Sequence, residues 1–265
     1  MNKNILFLIF FILFSRQIQS QMLQIVTTPT TPPFESVVNG QLVGFDMDFL
    51  EALSEVGDGF QYNITQASWN DLFAGVQNGT FDVAISSISI TSVRNAIYTF
   101  SVPYFISTHV ILAKAGYDIQ NAQDLLNHNV AVVTGTTGEA AVVGIFGGDS
   151  PQILRFVNLS QAIDALNNGA ADCIVNDSGF LENYANNHPG YEIIKDPNTF
   201  STEFYGLMFP KRSSVVSEFD DAITTVLEDG EYNTIYKEWF SGNPEEEVLL
   251  EAGEDDNPYD ALSDG

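Results

Sequence analysis

Residues 70–94 read Asn-Asp-Leu-Phe-Ala-Gly-Val-Gln-Asn-Gly-Thr-Phe-Asp-Val-Ala-Ile-Ser-Ser-Ile-Ser-Ile-Thr-Ser-Val-Arg. Asn70 to Asn78 has the apolar spacing of a short helix, and Gly79 is the residue that ends it. Phe81 to Ile85 then reads as a buried strand. From Ser86 onward small hydroxyls alternate with isoleucines, so one face of an extended segment meets a polar cleft while the other enters a core. A helix followed by a buried strand with a polar end is half of an α/β repeat, and in open α/β sheets ligands sit at the carboxyl ends of the strands. Arg94 closes the segment and is the only Lys or Arg between Gln21 and Lys114, a stretch with eight Asp and Glu. Its guanidinium is a rigid fork of donors that matches a carboxylate, and the hydroxyls before it complete such a shell. A plain surface ion pair is the other reading, and this segment alone leaves both open.

The same alternation extends in both directions. Upstream, Leu23 to Thr27 is a short apolar strand, Asp46 to Val56 an amphipathic helix, and Tyr62 to Gln66 a strand. Downstream come helices over Ala122 to Leu126, Gly138 to Phe146 and Leu159 to Asn167, with strands over Val130 to Val133, Ile153 to Phe156 and Ala171 to Val175. Two helices, Ser217 to Leu227 and Tyr232 to Phe240, follow. Residues 72–83 (Leu-Phe-Ala-Gly-Val-Gln-Asn-Gly-Thr-Phe-Asp-Val) and 162–173 (Ala-Ile-Asp-Ala-Leu-Asn-Asn-Gly-Ala-Ala-Asp-Cys) share a helix-Asn-Gly-x-x-Asp-strand plan. The expected fold is therefore α/β, with largely parallel sheets flanked by helices and two lobes built alike.

Met1 to Ser20 carries Lys3, an apolar run from Ile5 to Phe14 and a polar end, the anatomy of a signal peptide and too short for a membrane anchor. Its removal takes Lys3 and Arg16 and leaves seven Lys and Arg against 35 Asp and Glu, a net charge of −28. That balance excludes nucleic acid and anionic membrane surfaces as partners. Residues 244–265 are acidic without a base and read as a solvated tail. Cys173 is the only cysteine, so no internal disulfide forms, and its apolar neighbours make it a core residue. The three histidines, His109, His128 and His188, show no arrangement with it or with the polar motifs.

Seven motifs now stand in order from Leu23 to Phe240. They are Pro32-Pro-Phe34 with Gly44-Phe-Asp-Met-Asp48; Trp69 with Gly79-Thr-Phe-Asp82; Ser87 to Arg94; Phe100-Ser-Val-Pro-Tyr104; Thr134-Gly-Thr-Thr137; Asp172 to Asp177; and Tyr205-Gly206. With them the chain resembles the periplasmic amino-acid-binding proteins of ABC importers, solute-binding protein family 3, with the type II periplasmic-binding fold. The resemblance implies a first lobe of residues 22–108 and 207–243, a second of 109–206, and crossings near Ser107 to Leu112 and Ser201 to Tyr205. It makes Arg94 the clamp on a ligand α-carboxylate, completed by the amides of Ser89 and Thr137 and the Thr137 hydroxyl, with Thr136 beside them. Asp177 would accept the α-ammonium with help from Ser87. Asp177 also suits a helix N-cap, and Trp69, the family's usual stacking position, also suits a core. Thr28, Thr31, Phe34, Trp69 and Val133 are expected as walls. Family members for cationic amino acids often place an Asp and a Tyr where Thr28 and Thr31 stand here, so the expected ligand is neutral polar or modestly apolar.

The implied protein is a non-catalytic, exported, monomeric receptor that needs neither cofactor nor metal and hands its amino acid to a membrane ABC permease. Two other readings use the same fold. An exported dehydratase of the cyclohexadienyl or arogenate type would need a poised proton donor, and a sensing module would report to a separate membrane chain.

Overall fold

A computed structural model describes residues 22–57 and 59–240. The expected signal peptide, residues 1–20, and acidic tail, residues 244–265, lie outside the described residues. Two sheets carry the fold. In the first the order is Tyr62–Gln66, Leu23–Thr27, Val83–Ala84, Met208–Pro210 and Tyr98–Phe100. Leu23–Thr27 is parallel to both its neighbours, with Ile25 level with Ile64 and Val83. In the second the order is Ile153–Phe156, Val130–Val133, Cys173–Asp177, Phe105–Lys114 and Tyr191–Ile194. Its first three strands run parallel, and the long strand Phe105–Lys114 runs against Cys173–Asp177. That strand also pairs at its start with Thr202–Tyr205, antiparallel, so two strands cross side by side between the sheets.

The two Asn-Gly-x-x-Asp units fold alike for one physical reason. The side-chain oxygen of Asn78 accepts the amide of Thr80 at 2.9 Å, and that of Asn168 accepts Ala170 at 2.9 Å. Gly79 and Gly169 turn the chain at φ +78° and +80°, the left-handed region that glycine enters without a Cβ penalty. Asp82 then takes the amide of Gln24 at 2.8 Å, and Asp172 that of Asn129 at 2.7 Å, so each acid locks its strand to the sheet's first parallel neighbour.

Some elements differ from expectation. The strand over Phe81 to Ile85 shrinks to Val83–Ala84, because the backbone on either side pairs singly rather than in a ladder. Arg94 is not on an extended segment: Thr91 caps a short helix, Ser92–Ile97, by accepting the Arg94 amide at 3.1 Å. The Ala122 helix is a 3-10 helix, a small three-stranded sheet over 30–43 was not expected, and the helix Ser178–Asn187 follows from Asp177 as the N-cap reading allowed.

Candidate functional site

The carboxyl ends of both sheets meet at a cavity of about 280 Å³. Of the nine expected site residues, Thr31, Trp69, Ser87, Ser89, Arg94, Thr136, Thr137 and Asp177 line it. Phe34 does not. It is wholly buried, and its ring packs edge-on against Phe45, Phe105, Phe180 and Tyr205 at 4.8–5.9 Å, with Phe240 at 5.1 Å. The turn that returns the Phe34 amide to the Thr31 carbonyl leaves Thr31 on the cavity wall and sends the ring of Phe34 the other way.

Arg94 and Asp177 are the only charged side chains among the described residues that line the cavity. Arg94 donates to the Ser89 carbonyl at 2.7 Å and to the Gly135 carbonyl at 3.4 Å, and its guanidinium lies 5.6 Å from the Trp69 ring and 5.2 Å from the Phe73 ring. Burial lowers its pKa while Glu203 and Asp177 raise it, and an Arg keeps its proton regardless. Trp69 serves both readings: its ring packs on Phe73 and lines the cavity, and its indole N–H reaches the Gly135 carbonyl at 3.3 Å. Lys114 and Arg155, two cations of the second lobe, are occupied elsewhere, Lys114 on the Asn167 carbonyl and Arg155 on Glu139 and Asp149.

Asp177 holds the N-cap position of helix Ser178–Asn187, yet its side chain makes no capping bond. It is buried, accepts the hydroxyl of Tyr205, and lies 3.4 Å from His109 Nε2. Burial raises its carboxyl from 3.8 to about 6; His109 works against that shift, Glu203 adds to it, and Tyr205 and Arg94 oppose it. Thr137 opens helix Thr137–Phe146, behind the cap Thr136, whose hydroxyl accepts the Glu139 amide. The Thr137 hydroxyl donates to Glu203 at 2.9 Å, so it is not free for a carboxylate, against expectation. Glu203 accepts Ser89 as well, at 2.7 Å, and thereby ties the end of the first sheet to the helix of the second. Ser87 sits at φ +48°, a strained region for serine, held there by its amide bond to Asp46 at 2.9 Å.

Sequence reasoning missed His109, Glu203, Glu35 and Asp46. Strand register brings His109 opposite Asp177, and no local pattern reports that pairing. For Asp46 a signal existed: it shares a helix face with Leu50 and Leu53, where an acid is out of place. His109, Asp177 and Glu203 offer donor atoms within 4.8 Å of one another, a spacing open to a metal ion. Arg94 beside them makes a second cation costly, and the hydroxyls of Tyr205, Ser89 and Thr137 already hold the carboxylates.

A sequence profile of the bacterial extracellular solute-binding proteins, family 3, matches residues 23–242. The chain is 37% identical over 214 residues to a probable histidine-binding protein of Neisseria gonorrhoeae, covering 79% of each. It is 26% identical to the glutamine-binding protein GlnH of Bacillus subtilis, covering 78% of this chain and 76% of that one. Among solved structures, the arginine-, lysine-, histidine-binding protein ArtJ of Geobacillus stearothermophilus superposes with a TM-score of 0.84 at 36% identity, covering 87% of this chain and 100% of ArtJ. An ancestral amino acid-binding protein described as a precursor of cyclohexadienyl dehydratase superposes at 0.75 with 28% identity, covering 83% and 96%. Among the described residues no helix is long and apolar enough to cross a membrane. With two α/β lobes of the type II architecture and a match that runs nearly end to end through them, the chain belongs to the bacterial extracellular solute-binding proteins, family 3.

Proposed function

We propose that the protein is an exported, monomeric, non-catalytic receptor that closes on one amino acid and delivers it to a membrane ABC permease. The observation that carries this reading is that one cation and one anion, Arg94 and Asp177, are the charged side chains of the cavity wall among the described residues. A zwitterion presents a carboxylate and an ammonium two bonds apart, and such a wall matches it without a catalytic base. In this reading Arg94 takes the α-carboxylate with the amides of Ser89 and Thr137, while Asp177 and the Ser87 oxygen take the α-ammonium. Residues 22–108 and 207–243 form one lobe and 109–206 the other, so the ligand itself bridges them. The named ligands of the relatives, histidine, arginine and glutamine, share a side chain that ends in N–H donors. Transport into the cell agrees with the family's extracellular description.

The test is a melting-temperature panel of the twenty amino acids, followed by calorimetry on each that stabilises. Binding at 100 times Kd adds about 2.7 kcal/mol, several degrees for a chain of this size. Arg94→Ala should weaken binding by about 2 to 5 kcal/mol, roughly 30-fold to several thousand-fold. Unchanged affinity in that variant refutes the assignment.

A further inference from the structure

Behind the cavity wall, at the end of the first sheet, lies Glu35, a side chain with no exposed surface and no contact with the cavity. Its Oε1 accepts the hydroxyls of Thr31 at 2.5 Å and Ser86 at 2.8 Å, and its Oε2 accepts that of Ser87 at 3.3 Å. All three residues line the cavity. A hydroxyl owns one proton, so once that proton goes to Glu35 the oxygen offers the cavity lone pairs only. The Ser86 oxygen is further fixed by the Thr28 amide at 3.1 Å. Glu35 is itself held from behind. It is hydrogen-bonded to the buried carboxyl of Asp46, which is anchored by the Ser87 amide at 2.9 Å and the Tyr104 hydroxyl at 2.9 Å.

One further hydroxyl beside this network is left unpaired. Thr28 lines the cavity with 8% of its surface exposed, and its hydroxyl is buried with no partner among the described residues.

We propose that Glu35 sets the polarity of this wall of the cavity: by drawing the protons of Thr31, Ser86 and Ser87 to itself, Glu35 leaves a wall that accepts hydrogen bonds, at Ser87 from the ammonium and at Thr31 and Ser86 from the side chain, and so selects ligands whose side chains end in N–H donors over isosteres that end in acceptors. The inference rests on the receptor reading and reverses the expectation against a cationic ligand. The acid absent at Thr28 and Thr31 is present one layer behind them. Glu35 acts through the three hydroxyls and is a positioning residue.

The probes are two isosteric pairs: L-arginine with L-citrulline, whose ureido oxygen replaces one guanidinium nitrogen, and L-glutamine with L-glutamate. Calorimetry on the wild-type protein should show the donor member of at least one pair bound at least tenfold more tightly, the penalty for setting a buried acceptor against another. Glu35→Met, which returns the three protons to the wall, should bring that ratio to within about threefold. Glu35→Gln keeps an acceptor oxygen for Thr31 and Ser86 and should retain most of it. A purely structural Glu35 would lower both affinities and leave the ratio alone. If Glu35→Met does not fold, the double substitution Thr31→Val with Ser86→Ala removes the two wall acceptors and should collapse the same ratio. The inference is overturned by equal wild-type affinities within both pairs, by preference for glutamate, citrulline or an apolar amino acid, or by an unchanged ratio in the folded variants. In those cases the receptor reading stands. Failure of the wild-type protein to bind any amino acid in the wider panel overturns both.

Discussion

Lowering the pH below 6 should loosen the grip on an amino acid through one group, Asp177. Burial raises its carboxyl from 3.8 to about 6 in the free protein, with His109, Glu203, Tyr205 and Arg94 as the charged and titratable groups around it. A bound ammonium favours the ionised form, so the pKa in the complex lies below that in the free protein and binding expels a proton wherever the free group is protonated. Above pH 6 the carboxylate is already formed and Kd is flat. Below it Kd grows by a factor of one plus ten raised to the difference between the pKa and the pH, about twofold at pH 6 and about elevenfold at pH 5. The assay is calorimetry with glutamine or arginine from pH 5 to 7.5 in buffers of different ionisation enthalpy, which also counts the released proton. Histidine is avoided because its imidazole titrates in the same range. Release close to one proton at pH 5 and none at pH 7.5 is expected. A Kd that is the same at pH 5 and 7.5, without proton exchange, refutes the placement of the ammonium on Asp177.

Ligand-free stability should have the opposite slope to that of most acid-labile proteins. Burial raises Glu35 well above its usual value and Asp46 from 3.8 to about 7, so the folded state holds protons that the unfolded chain has lost. Stability therefore falls as pH rises from about 4 toward 7, by up to about 1.4 kcal/mol per pH unit per proton, and the melting temperature at pH 5.5 should exceed that at pH 8. A higher value at pH 8 would sink the assignment. Phe34→Ala should cost about 3 to 5 kcal/mol, because the cavity opens among five rings, and lower the melting temperature by roughly 6 to 20 °C. A change under 2 °C would place the ring outside the core. The chain has two tryptophans, and Trp239 bonds Asp48 away from the cavity. Trp239→Phe should keep any ligand-induced change in fluorescence and Trp69→Phe should lose it; the reverse result contradicts Trp69 as a cavity wall.

Much of this was legible because it was local. The Asn-Gly-x-x-Asp units announce a helix stop, a left-handed glycine and an acid that clamps the next strand, all within six residues. Rarity identified Arg94, since a lone guanidinium in an acidic stretch stands out whatever surrounds it. Where the chain reading went astray, direction was at issue. Phe34 lies three residues from Thr31 in the same turn, and the turn points the two side chains to opposite sides, one to solvent and ligand, the other to the aromatic core.

The sequence by itself determined the α/β class, the two similar units and the isolation of Arg94 in an acidic stretch, because periodicity, turn chemistry and scarcity of a charge type are properties of neighbouring residues; Asp177 was named only by the family resemblance. Tertiary structure alone decided that His109 faces Asp177, that Glu203 joins Ser89 to Thr137, and that Glu35 underlies Thr31, Ser86 and Ser87. These groups are separated by 52 and 114 residues in their longest pairs and by 68 between His109 and Asp177. Strand register and hinge crossing bring them together, and a buried acid takes its partners from what folding places beside it, not from what precedes it in the chain.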